Sequence, residues 1–109
     1  MLNKLFGSRT AELVLYYLYV YEKGYPTKMA KVFGLSVNMV QDQLIKFEDA
    51  GILVSFLEGR TRVFRWNPRY PFLTELKVLL KKALDYLPDS ERPKYFKERT
   101  RPGRTGKPI

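Results

Sequence analysis

The chain has 109 residues, with 20 Lys and Arg against 11 Asp and Glu, a formal net charge of +9. That length fits one domain, and a 45% hydrophobic content supplies a core, which excludes wholesale disorder. Cysteine and histidine are both missing; this excludes disulfides, thiolate or imidazole metal sites and Cys- or His-based catalysis, and no metal or other cofactor is expected.

In chain order, Ser8 or Thr10 caps a first helix that runs to about residue 23 and stops at Gly24. From Leu13 to Tyr21 it is apolar on every face, nine residues with four tyrosines. That is far short of the ~20 residues of a membrane span. A helix apolar all round needs cover all round. Either one face meets the chain's own core and the other a second subunit, or the helix is wholly buried at the centre. After Tyr25-Pro26, Thr27 is placed to cap a short helix over 28–33, ended by Gly34. Ser36 then caps a helix over 37–50, with Gly51 as its stop. Two helices joined by Gly-Leu-Ser carry the helix-turn-helix signature. Ala30, Phe33, Leu35, Val40, Leu44 and Phe47 are spaced to form one core, with Asn38, Gln41, Asp42 and Asp49 on the opposite side.

Beyond Gly51 the period changes. Residues 52–57 and 62–66 read as strands around the turn Glu58-Gly59-Arg60-Thr61, and Asn67-Pro68 ends the hairpin. Pro71 opens a last helix over about 72–87, with Leu73, Leu76, Leu80, Leu84 and Leu87 in one stripe. The organisation expected is a domain over 1–87 and a basic, mostly disordered tail over 88–109. The tail holds seven basic and three acidic residues, net +4, which leaves +5 for the body.

The stretch Met29-Ala30-Lys31-Val32-Phe33-Gly34-Leu35-Ser36, followed by Val40, Leu44, Phe47, Glu48, Ala50, Gly51, Ile52 and Leu53, resembles the winged helix-turn-helix. Its nearest likeness is to ArsR/MarR-type transcriptional regulators. Phe6-Gly7-Ser8 and Arg65-Trp66-Asn67-Pro68 are similar to a subset of such domains that stand alone or precede a nucleotidyltransferase. The resemblance covers about residues 5–87. It implies a mainly α fold with a small β-hairpin wing, in the order α-α-α-β-β-α, dimerising through the first and last helices. It also implies a DNA-binding transcriptional regulator that acts as a homodimer and is not an enzyme.

In that reading the helix over 37–50 lies in the major groove of double-stranded DNA. Asn38, Met39, Gln41 and Gln43 face the bases, while Lys28, Ser36 and Lys46 hold phosphates. The wing over 58–62, with Arg60, Thr61 and Arg62, reaches the backbone or a minor groove. Asp42 departs from the family pattern, where a basic residue is usual. It is expected in solvent, paired with Lys46, or accepting from cytosine. Asn38 and Gln41 have simple helix surface as their alternative role. Tyr16, Tyr19, Leu76, Leu80 and Leu84 are expected near the two-fold axis, though the leucine stripe can equally pack within one subunit. Recognition helices one DNA turn apart, ~34 Å, would then read a pseudo-palindrome. The competing role is a winged-helix protein-interaction module that grips a partner chain. Glu48-Asp49 is the one adjacent carboxylate pair, and a helix-end surface suits it better than acid–base work. A cytoplasmic protein with no membrane partner is expected, and the sequence names no small-molecule effector.

Overall fold

The computed structural model describes residues 2–88. A single turn of helix, α1 (Asn3–Phe6), closes on Gly7, whose φ of 103° is open to glycine. Ser8 then caps α2 (Arg9–Tyr21), its hydroxyl accepting from the Ala11 N–H at 3.0 Å. The sequence-based boundary at Gly24 is corrected: α2 ends at Tyr21, and Glu22 just beyond it turns the chain at φ 74°. Gly24 instead belongs to a short strand, β1 (Lys23–Gly24), which the sequence did not disclose.

Pro26 occupies the first helical position of α3 (Pro26–Phe33) behind an extended Tyr25. Thr27, expected as the cap, is therefore inside the helix. Gly34 ends α3 at φ 68°, and the N–H groups of Gly34 and Leu35 both return to the Ala30 carbonyl. The side chain of Ser36 caps α4 (Val37–Asp49), accepting from the Met39 N–H at 3.4 Å. Past Ala50, Gly51 turns at φ 83° and the Ile52 N–H closes on the Phe47 carbonyl at 3.0 Å. A two-residue turn, Gly59-Arg60, joins β2 (Leu53–Glu58) to β3 (Thr61–Trp66), and the last helix is α5 (Leu73–Asp85).

The described residues thus form five helices and one three-stranded antiparallel sheet in the order β1-β3-β2. Directly opposed residues share a face of such a sheet. Leu53, Phe64, Trp66 and Gly24 turn to the core, while Val63, Phe56 and Arg65 point to the other side. Val63 is buried on that outer face, apart from the main core.

At the centre stands α2. Every residue from Thr10 to Leu18 is buried, and α1, β1, α3, α4 and α5 all pack on it. Between the two arrangements open to an all-apolar helix, the fold takes the central one. Its one buried acid, Glu12, accepts from the Leu2 N–H at 2.9 Å and the Tyr16 hydroxyl at 2.8 Å, tying α1 to α2. No helix among the described residues is long and apolar enough to cross a membrane.

Candidate nucleic-acid interface

The pair α3–α4 presents one stripe outward. Val40, Leu44 and Phe47 are buried, so at ~100° per residue Asn38, Asp42, Ile45 and Asp49 point away from the core. All four are exposed, as are Met39 and Gln41 to either side. The outermost line of α4 is therefore an amide, two carboxylates and an isoleucine. Two exposed apolar side chains flank it, Val37 at 40% and Met39 at 50% of full exposure.

Several side chains assigned to DNA have partners inside the chain. Lys46 donates to the Phe6 carbonyl at 3.0 Å, at the C-terminal end of α1, where a cation is favoured. Gln43 buries its amide oxygen against the protein instead of offering it to a groove. Ser36 is committed to capping α4. Lys28 is half-buried on α3, and Lys31, which the sequence reading left out, is exposed on the same helix.

In the hairpin, Arg60 and Thr61 are exposed at the tip. Arg62 is anchored: its guanidinium donates to the Ser55 hydroxyl at 3.0 Å, and that hydroxyl donates to the Glu48 carboxylate at 2.6 Å. Glu48 lies on α4, so the Ser55–Glu48 bond ties the hairpin to the helix, with Arg62 joined to it from β3. Neither Ser55 nor this role of Glu48 was anticipated. A hydroxyl paired across the strand from buried Phe64 was the available signal.

The residues expected near a two-fold axis divide by burial. Tyr16, Leu80 and Leu84 are buried in the chain's own core, because α2 is covered on all sides and α5 lays its leucine stripe on it. Tyr19 and Leu76 are half-buried beside that core. What α5 leaves open is Val78 on its solvent side, with Phe72 and Tyr86 exposed just beyond its two ends. Residues 89–109, which hold nearly all of the basic tail, lie outside the described residues. Among the described residues, no group of three or more acidic, His or Cys side chains is placed to hold a metal ion.

Comparison of the chain with protein families, curated proteins and solved structures finds no match.

Proposed function

We propose that the chain is a winged helix-turn-helix protein that binds double-stranded DNA as a homodimer and regulates transcription. In this reading α4 enters the major groove and the tip of the β2–β3 hairpin rests on the backbone or minor groove. Support comes from the succession α2, β1, α3, α4, β2, β3, α5, with a Gly-Leu-Ser turn between the middle helices. The observation that carries the proposal is the Arg62–Ser55–Glu48 chain. It ties the hairpin to the helix, so that both are presented together to adjacent grooves.

The site narrows accordingly. Base contacts fall to Asn38, Met39 and Gln41, and backbone contacts to Arg60 and Thr61, with Lys31 added. Ser36, Gln43, Lys46 and Arg62 serve the fold that presents them.

Binding to random duplex should weaken steeply with salt, with a log–log slope of about −0.9 per phosphate contact. Arg60→Ala should lower affinity on every sequence and make that slope shallower by about one contact. Asn38→Ala or Gln41→Ala should relax preference at single base pairs, by ~1–3 kcal/mol for a bidentate contact. A salt-insensitive, micromolar-or-weaker association with duplex, unchanged in all three variants, would sink the reading.

One observation favours a second reading, a protein-interaction module. The outer face of α4 pairs Asp42 and Asp49 with exposed Val37, Met39 and Ile45. Acids are repelled by phosphates, whereas an acidic and apolar face suits a basic, apolar partner segment. The same salt titration separates the two readings.

A further inference from the structure

We propose that the open edge of β2 pairs antiparallel with the same strand of a second copy of this chain, joining two sheets into one of six strands. β2 is an outer strand of the sheet. Its pairing with β3 is unbroken from Leu53–Trp66 to Glu58–Thr61, and the Asn67 N–H continues it onto the Ile52 carbonyl at 2.9 Å. Main-chain groups alternate between the two sides of a strand. Ile52, Val54, Phe56 and Glu58 therefore turn theirs to β3, while Ser55 and Leu57 turn theirs outward. Among the described residues, no other backbone group meets those of Ser55 and Leu57. Exposed edges are normally guarded by Pro, Lys, a bulge or a covering element. Over its six residues β2 has no Pro, no cation and no bulge, and Leu57 stands 60% exposed.

The occupant follows from the register. A two-fold pair centred on Ser55 needs the edge at Leu53, which is buried at 1% exposure. Centred on Leu57, it sets the Phe56 ring against the partner's Glu58. Centred on Glu58, it opposes two carboxylates, which is destabilising. Centred on Phe56, ring meets ring, and Ser55 lies opposite the partner's Leu57 with reciprocal N–H···O=C bonds on each side of the axis. The partner's Glu58 then falls opposite Val54, whose other neighbour is Arg65 on β3, so a carboxylate and a cation flank it. Glu58 is free to make that approach, because its present pair with Lys23, at 3.2 Å, is exposed on both sides and worth little. The Arg65 guanidinium already lies 5.2 Å over the Phe56 ring, on the same face. Four main-chain bonds and one ring pair fall short of the ~10 hydrogen bonds of a stable interface. The contact is therefore weak between free chains and joins copies that are already held close. It uses none of the residues assigned to bases or phosphates, and so does not rest on the duplex reading.

The chain has no cysteine, so single introduced thiols report the register. A non-hydrogen-bonded antiparallel pair holds its Cα atoms ~4.5 Å apart, within the ~4.4–6.8 Å that a disulfide spans. The two copies of Leu57, offset diagonally, stand ~7–8 Å apart, outside that range. Under mild oxidation Phe56→Cys should therefore form linked dimers at least about tenfold faster than Leu57→Cys, although Leu57 is the more exposed of the two. In the unsubstituted chain, the amide resonances of Ser55 and Leu57 should shift progressively as concentration rises to about 1 mM. Leu57→Lys, a change at an exposed position, should abolish that shift and leave the circular dichroism intact. Linking as fast through Leu57→Cys, or amides that do not move by about 1 mM, overturns the proposal. So does a shift that survives Leu57→Lys but is lost in Val78→Glu, which would place the contact on α5. A shift seen only on adding a foreign extended peptide would give the edge to another partner and overturn it equally.

Discussion

Gly24 is a residue whose identity is dictated by a neighbour's ring. Its φ is ordinary, but a Cβ at that point would lie 2.6 Å from Cε1 of Tyr17 and 3.2 Å from the Met29 sulfur. Gly24→Ala should therefore destabilise by about 1–3 kcal/mol through overpacking. In urea the midpoint should fall with the slope unchanged. The left-handed position that a glycine would ease belongs instead to Glu22, two residues earlier. Glu12 makes a second residue-scale case. Burial pushes its carboxyl up, but the hydrogen bonds from the Leu2 N–H and the Tyr16 hydroxyl outweigh that and hold it below its ordinary 4.5. A carboxyl depressed on folding adds stability that is complete above 4.5 and lost as pH falls through the lower native value. Thermal unfolding between neutral pH and about pH 3 should show this loss, and Glu12→Gln should flatten the slope over the same range.

Among the elements, α5 is the one with surface to spare. Its leucine stripe is spent on α2, yet Val78, at 61% exposure, is open on the solvent side, with Phe72 and Tyr86 exposed at the two ends of the helix. For the proposed homodimer, α5 has Val78, Phe72 and Tyr86 to offer, since Leu80, Leu84 and Tyr16 are buried in the chain's own core. Val78→Glu should shift a sedimenting dimer to monomer while leaving the circular dichroism of the fold intact. A monomeric parent chain at micromolar concentration would instead remove the two-fold reading altogether. The other elements divide by how local their signals are. Ser8, Ser36, Gly34 and Gly51 mark helix ends within a few residues of themselves, and the spacing of Val40, Leu44 and Phe47 already indicates a face. These were legible. The two-residue β1 was not, because Lys23 and Gly24 become a strand only by pairing with Arg65 and Phe64, far along the chain.

For the whole molecule, the same division explains the candidate site. Exposure of Asn38, Gln41 and Arg60 follows from local pattern. The capture of Lys46 by α1 and of Arg62 by Ser55 follows from elements meeting in space, which spacing does not encode. An all-apolar helix likewise says that it needs cover, but not whether that cover comes from its own chain. Here it does, and there is a further consequence for how the protein opens. With α1, β1, α3, α4 and α5 all resting on α2, no single element can lift away and leave its backbone wet along the whole length. The amides of residues 13–18 then exchange with solvent only when everything comes apart. Hydrogen exchange at those six positions is a built-in gauge of global stability, while α1 and the hairpin tip report local opening.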